Sequence, residues 1–229
     1  QDVPICGNDL NPEFAAKMMK ARKSRDEQLK LSIRKPRESD REPKPTVIFL
    51  DADGHTVQNS IWNLLNNVEH PSIVCSSAGL TTAQMKEIIA SVKQDFSPFH
   101  VVVTADENLF NNTPKERRLR VIVTPIQTLQ HVFPYAGGYA AVGSLWWKDD
   151  TPSFVFSDVF FGVMPNIAQA VSHEAGHMIG LHHQSEYYDD GGLKYEYHQG
   201  FFTRPWNIFW KPIMGTSYFA DISGWMIGR

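Results

Sequence analysis

This chain of 229 residues has few cysteines, no long apolar run and no excess of basic charge. The two cysteines, Cys6 and Cys75, allow at most one disulfide, which excludes a disulfide-rich scaffold. No apolar run reaches the roughly 18 residues that a membrane-spanning helix needs, so we expect no transmembrane segment. The formal net charge of −3 argues against a general nucleic-acid binder. The N-terminus lacks a basic stretch followed by an apolar one, so any signal peptide is absent from this chain.

Charge separates the beginning of the chain from the rest. Residues 1–44 carry 11 basic and 8 acidic side chains, whereas residues 45–229 carry 11 basic and 17 acidic ones. Good helix formers after a capping Asn11 predict a helix to about Ile33. The proline-rich, charged residues 34–45 predict an exposed linker. We therefore expect an N-terminal segment over 1–45, an upper subdomain over 46–183 and a small C-terminal subdomain over 184–229.

Short β-rich runs alternate with helical periodicity in the middle of the chain. Five apolar runs predict strands at 46–52, 100–106, 120–126, 140–147 and 153–159. Apolar spacing predicts one helix from Thr81 to Phe96 and another from Pro165 to Ile179, ending at Gly180. After His183 the chain is rich in Gly, Tyr and Trp and has little periodicity. This order predicts an α/β (α+β) fold, with a mixed twisted sheet and a helix-bearing layer over a small irregular C-terminal subdomain.

The segment HEAGHMIGLHH at 173–183 carries the chemistry. Residues four apart share one face of a helix, so His173 and His177 can bind the same metal ion. Glu174 then stands beside the metal, where its carboxylate can act as a general base. Gly180 can adopt a positive φ that ends the helix and brings His183 round as a third nitrogen ligand. Three protein ligands and one open position are typical of a catalytic zinc site.

These residues match the extended motif H-E-x-x-H-x-x-G-x-x-H, and the chain therefore resembles the metzincin metallopeptidases. Pro212-Ile213-Met214-Gly215 follows His183 and resembles the methionine-containing turn that lies beneath the zinc in that family. The resemblance covers about residues 46–219. It implies a metzincin-like zincin fold in which the active-site helix carries the zinc ligands and Met214 supports the site.

A closer resemblance is to a group of secreted bacterial metzincins. DADGHT at 51–56, PFHVVVT at 98–104 and WKPIMG at 210–215 carry this likeness. It implies a secreted protein, extracellular or in the cell envelope. One departure concerns a tyrosine that some metzincins place two residues after the turn methionine, since position 216 is threonine here. Tyr218 could take that catalytic role, or it could pack in the core or at the rim.

The N-terminal segment has the composition of a removable pro-segment. Cys6-Gly7 resembles the Cys-Gly element in the pro-segments of pappalysin-like and related bacterial metzincins, which implies that the Cys6 thiolate occupies the open position on zinc in a latent form. Two alternatives stay open. Cys6 and Cys75 could form a disulfide, as is common in secreted proteins, or both thiols could be idle.

The resemblance also implies that substrate pairs with an edge strand, which we predict at 140–147, including Ala140, Ala141, Val142, Gly143 and Ser144. Asp51, Asp53 and Gly54 could help to bind calcium, although Asp-x-Asp-Gly is only a fragment of a calcium loop and a simple turn is the stronger interpretation.

The sequence predicts a zinc endopeptidase that acts on protein or peptide substrates. A zinc hydrolase of a non-peptide amide or ester, and a non-catalytic binding module on a protease fold, are the two alternatives. The intact Glu174 argues against the binding module. The sequence does not determine the oligomeric state or the side-chain preference.

Overall fold

The structure is a computed structural model and describes residues 44–67 and 71–226. Cys6, the helix predicted over 11–33 and nearly all of the predicted linker lie outside these residues. The described strands, numbered β1 to β12 in chain order, are Thr46–Asp51, His55–Val57, Ile73–Cys75, Val101–Thr104, Arg118–Thr124, Gly138–Tyr139, Ser153–Phe156, Glu186–Tyr187, Leu193–Tyr195, Phe201–Thr203, Ile208–Pro212 and Ile222–Gly224. The α-helices, α1 to α3, are Thr82–Asp95, Glu107–Asn111 and Met164–Met178.

A five-stranded sheet in the order β4-β1-β5-β7-β6 forms the centre of the fold. The first four strands are parallel, and β6 is antiparallel to β7 at the edge. Alternation along β5 sends Leu119 and Val121 to one face of the sheet and Ile122 to the other. Both faces are therefore buried, as the continuous apolar runs of parallel strands require.

Helices α1 and α3 cover one face of the sheet. A capping box starts α1, in which the Thr81 hydroxyl accepts a bond from the Gln84 amide and the Gln84 side chain accepts one from the Thr81 amide. Ser172 Oγ on α3 donates to the Asp95 carboxylate at the end of α1, at 2.6 Å. The two helices are thus joined by a partly buried hydrogen bond as well as by apolar packing.

A second apolar cluster fills the opposite face of the sheet. Trp62 packs edge-to-face on Phe154 and Phe133, and its indole nitrogen donates to the Pro152 carbonyl at 2.7 Å. The β2–β3 hairpin closes this side and carries Cys75, which is buried and has a free thiol. Burial raises the pKa of Cys75 to about 12, so this thiol is neutral at ordinary pH.

The C-terminal part consists of small sheets. Strands β8 and β9 pair as a hairpin, and β10, β11 and β12 form a three-stranded sheet. The expectation of a mixed α/β fold is confirmed at this level. No helix among residues 44–67 and 71–226 is long and apolar enough to cross a membrane.

The strand predicted over 140–147 is wrong. The edge strand β6 covers only Gly138–Tyr139, and Ser144–Trp147 is a 3₁₀ helix. Gly143 has a φ of 74°, and its amide donates to the His177 carbonyl at 2.8 Å. These features turn the chain away from the sheet and toward the end of α3, so Ala140 to Ser144 do not form an edge strand.

Candidate metal centre

Helix α3 positions the first two histidines and the glutamate between them. It begins with Pro165 in its first turn, and its C-cap is Ile179. His173, Glu174 and His177 are 3%, 1% and 1% exposed, so α3 presents them to the interior of the protein. The predicted ends of this helix, Pro165 and Ile179, agree with the structure to within one residue.

The third histidine arrives after the helix breaks. Gly180 has a φ of 108°, which favours glycine over every other residue, and its amide bonds the His177 carbonyl. The chain then reverses, so that His183 lies with its ring centroid 5.4 Å from that of His173 and 4.8 Å from that of His177. The predicted role of Gly180 as a helix terminator is confirmed.

Both helical histidines are held in one tautomer by backbone carbonyls. His173 Nδ1 donates to the Ile213 carbonyl and His177 Nδ1 donates to the Leu181 carbonyl, each at 2.7 Å. Since a carbonyl only accepts, Nδ1 carries the proton of each neutral ring and Nε2 carries the lone pair, and the two Nε2 atoms lie 3.1 Å apart. Two lone pairs repel at that distance unless a cation lies between them. Two ligands at about 2.05 Å on a tetrahedral zinc would stand about 3.3 Å apart, which fits.

His183 completes the group in the same way. Its Nδ1 lies 3.2 Å from the Glu196 carboxylate, while its Nε2 is buried with no hydrogen-bond partner among the described residues. The ligand atoms of the three histidines lie within 4.8 Å of one another. Among the described residues, this is the only cluster of three or more His, Cys, Asp or Glu side chains at such spacing. The group could therefore hold one metal ion.

Burial keeps these imidazoles neutral. Desolvation lowers the pKa of His173 to about 4 and that of His183 to about 4, and it lowers the pKa of His177 well below its ordinary value. A neutral imidazole is the form that binds metal, so the site needs no proton release near neutral pH.

Glu174 lies beneath the edge strand. A Cβ atom at Gly138 would stand 2.6 Å from Glu174 Oε1 and 2.7 Å from the Phe154 carbonyl. The carboxylate thus fits against β6 only because residue 138 has no side chain. Sequence analysis did not identify Gly138 as a site residue. Its only signal in the sequence is the pair Gly137-Gly138, because a close backbone approach requires glycine.

The methionine turn lies below the helix. Residues 212–215 form a hydrogen-bonded turn, with the Gly215 amide bonding the Pro212 carbonyl at 3.0 Å. Met214 is buried, and its sulfur lies 2.6 Å from where a Cβ atom at Gly176 would be. The preceding residue, Ile213, supplies the carbonyl that orients His173. The turn therefore supports α3 by contact and by a hydrogen bond.

Two tyrosines line the cavity beside Glu174. Tyr218 is half-buried and packs on Phe160, with ring centroids 4.9 Å apart. Tyr197, which sequence reasoning missed, has its ring centroid 4.3 Å from that of His183. Tyr197 follows the short hairpin of strands β8 and β9, in a part of the sequence without periodicity, so no local pattern indicates a site there.

The remaining sequence-predicted residues lie elsewhere. Cys6 is outside the described residues. Asp51 pairs with Arg120 and is flanked by His55, so its carboxylate faces a cation rather than a set of oxygen ligands. Burial raises the pKa of Asp51 to about 6, against the opposite effect of Arg120. Asp51 therefore gives no support for calcium, and Asp53 and Gly54 belong to no metal-binding cluster in the described part of the chain.

No protein-family model matches this chain, and no curated protein matches it in sequence.

Proposed function

We propose that this chain is a zinc-dependent endopeptidase. One observation carries the proposal: three neutral histidine Nε2 atoms converge on a point beside the buried carboxylate of Glu174. Imidazole nitrogens in a three-ligand set with an open position favour zinc among the common metals. Bound there, zinc would supply a Lewis acid that activates water and polarises a carbonyl group.

Glu174 would act as general base and then as general acid. Its carboxylate takes a proton from the attacking water and delivers that proton to the leaving amine. Gly138 and the neighbouring strand β7 restrict the position of this carboxylate. Tyr197 and Tyr218 border the same cavity, and a hydroxyl there would stabilise the carbonyl oxygen of the substrate by donating a hydrogen bond to it.

The edge strand supports a peptide rather than a smaller substrate. Strand β6 is the last strand of the central sheet and passes directly over Glu174. An extended peptide can satisfy its backbone groups along such an edge. Substrate would therefore bind along Gly138–Tyr139, in place of the residues 140–147 that we predicted from the sequence.

Membership of the metzincins is part of this proposal. The extended zinc motif, the broken helix at Gly180 and the turn at Met214 beneath α3 support it. Secretion is proposed on the same resemblance. Latency is proposed on Cys6, whose thiolate would occupy the open position until the chain is cut within residues 34–45.

The test combines metal analysis with one substitution. Protein purified without chelator should contain about one zinc per chain and, once cut within residues 34–45, should digest casein, and a chelator should abolish both. Glu174→Gln should keep the zinc and lose about 10² to 10⁴ in rate, because an amide cannot take the proton. The matched control is Glu116→Gln, because Glu116 is exposed and does not belong to the candidate metal centre.

The outcomes separate the alternatives. Protein that lacks metal, or Glu174→Gln with undiminished turnover, would overturn the proposal. Zinc-loaded protein that cleaves amide or ester reporters but no peptide would be a hydrolase of non-peptide substrates. Zinc-loaded protein that cleaves neither, even after it is cut within residues 34–45, would be a binding module.

A further inference from the structure

The hairpin of strands β10 and β11 carries an exposed tryptophan in its turn. The two strands pair antiparallel, and the turn closes where the Asn207 amide donates to the Thr203 carbonyl at 2.8 Å. Trp206 in this turn is 76% exposed, and its ring contacts no other aromatic ring in the described part of the chain. The fold itself therefore buries little of this indole.

Aromatic rings also lie on both faces of the same hairpin. Phe201 packs on Trp210 with ring centroids 5.0 Å apart, and Phe202 stacks on Phe209 with ring centroids 4.6 Å apart. Successive residues of a strand point to opposite faces, so the two ring pairs lie on opposite sides of the sheet. Phe201 is 49% exposed and Phe202 is 59% exposed. We call residues 201–212 the aromatic hairpin, which is exposed on both faces and at its turn.

The charge of the aromatic hairpin has one sign. Residues 201–212 include Arg204 and Lys211 but no Asp or Glu. Lys211 is buried and bonds a backbone carbonyl, whereas Arg204 is exposed beside the indole and pairs with no described carboxylate. The Asp221 carboxylate accepts a bond from the Phe209 amide at 2.8 Å, along the strand rather than at the turn. The turn therefore combines an apolar ring with an unpaired positive charge, which complements an anionic surface with an apolar interior.

The shape and charge of the hairpin favour a lipid surface over a protein partner. A protein partner covers one face of a hairpin, whereas the boundary layer of a bilayer surrounds a turn and both of its faces. The N-terminal residues 1–44 carry 11 basic and 8 acidic side chains, so their net charge has the sign of Arg204. A second copy that met the first turn to turn would also bring two Arg204 side chains together. Like charges disfavour both of these occupants.

The base of the aromatic hairpin is joined to the candidate metal centre. Strand β11 continues into the turn at Met214, where the Ile213 carbonyl orients His173. Seven positions separate Trp206 from Ile213, and a fully extended chain of that length spans at most about 25 Å. A lipid surface bound at Trp206 would therefore lie close to the metal centre.

We propose that the aromatic hairpin binds the surface of an anionic lipid bilayer, with Trp206 in the interfacial layer and Arg204 at the lipid headgroups. Tryptophan is enriched in that layer because its ring is apolar while its N–H group can donate a hydrogen bond. The proposal goes beyond the proposed function and does not depend on it, since it concerns where the protein is held rather than what it cleaves.

The test measures co-sedimentation of the full chain with large vesicles. One set of vesicles is phosphatidylcholine alone, and the other contains phosphatidylserine as about a third of its lipid. Wild type should bind both and should bind the phosphatidylserine vesicles more tightly. Trp206→Ala should weaken binding to both about tenfold, because the buried ring is lost. Arg204→Gln should weaken binding about fivefold on the phosphatidylserine vesicles and leave binding to phosphatidylcholine unchanged.

A second exposed tryptophan provides the matched control. Trp146 is 59% exposed in the 3₁₀ helix Ser144–Trp147, outside the aromatic hairpin. Trp146→Ala should therefore bind both kinds of vesicle as wild type does. All three variants should keep the wild-type Tm, because each replaces an exposed side chain.

Each outcome decides the proposal. Vesicle binding that is weakened in Trp206→Ala and kept in Trp146→Ala would support it. No binding to either vesicle, equal binding by wild type and Trp206→Ala, or an equal loss in Trp146→Ala would overturn it. Binding only after the chain is cut within residues 34–45 would assign the hairpin to the N-terminal segment. A dimer that Trp206→Ala converts to a monomer, without vesicle binding, would assign it to a second copy. Either assignment would also overturn the proposal, and none of these results bears on zinc or on hydrolysis.

Discussion

Alanine at position 138 should displace the proposed general base, Glu174, without removing its carboxylate. The new Cβ atom would stand 2.6 Å from Glu174 Oε1 and 2.7 Å from the Phe154 carbonyl. Neither the Glu174 carboxylate nor the Phe154 carbonyl can move away from the new Cβ atom without cost. The Phe154 carbonyl belongs to β7 in the sheet, and Glu174 is 1% exposed on a helix that carries two histidines of the candidate metal centre.

The size of the effect follows from these distances. Ordinary contact with a Cβ atom begins near 3.4 Å, so the carboxylate or the edge strand must shift by about 0.8 Å. A misplacement of about 1 Å can cost about 100-fold in rate, equivalent to about 2.7 kcal/mol in the activation barrier. We expect kcat to fall by about that factor while all three histidine ligands remain.

The assay compares kcat, zinc content and Tm for wild type, Gly138→Ala and Gly224→Ala. Gly224 is the control, because the nearest atom to its added Cβ would be 3.5 Å away, an ordinary contact. Gly138→Ala should bind zinc and fold, yet turn over slowly. Wild-type kcat in a folded, zinc-loaded Gly138→Ala protein would refute the reasoning that Gly138 positions Glu174.

The remaining predictions concern support, pH and latency. Gly176→Ala should lower the free energy of unfolding by about 1 to 3 kcal/mol in urea titrations, because the new Cβ atom would lie 2.6 Å from the Met214 sulfur. Unchanged stability would mean that Met214 moves away from the new Cβ atom without cost. With metal chelated, His183 has a pKa of about 4 in the folded state and about 6.5 in the unfolded state. Between these pH values the unfolded state binds more protons than the folded state. The free energy of unfolding should therefore decrease as the pH falls from about 6.5 to about 4. In urea titrations across that range, apo wild type should therefore lose about 1.4 kcal/mol per pH unit more than apo His183→Leu, and parallel curves would contradict this. Cys6→Ala should be active without cleavage in the linker, as measured by casein digestion, whereas equally low activity in uncut wild type and variant would exclude a Cys6 block.

Local spacing was enough to predict most of the histidine group that could hold a metal ion. The i, i+4 relation of His173 and His177 holds on any α-helix, so the pair faces one way whatever the helix packs against. Gly180 marks the break because its backbone freedom is intrinsic to the residue. The strands at 46–52 and 120–126 were equally visible, since continuous apolar runs have no stable place except a buried sheet.

Local spacing misidentified the edge strand for a physical reason. A short apolar run such as 140–147 can become a strand or a helical turn with similar burial, and periodicity does not separate the two. In the structure the Gly143 amide, just before the 3₁₀ helix, donates to the His177 carbonyl, 34 positions away in the sequence. No neighbouring residue in the sequence carries that information.

The chain order alone thus determined which atoms can bind a metal, and the tertiary structure determined how they are held and what surrounds them. The carbonyl of Ile213 fixes the tautomer of His173 across 40 residues, and Gly138 meets Glu174 across a strand and a helix. Tyr197 reaches His183 from a loop without periodicity. Ligand type and helical phase are local properties of a sequence. Carbonyl acceptors, close backbone approaches and cavity walls arise only when distant segments pack together, because local spacing does not show which segments meet.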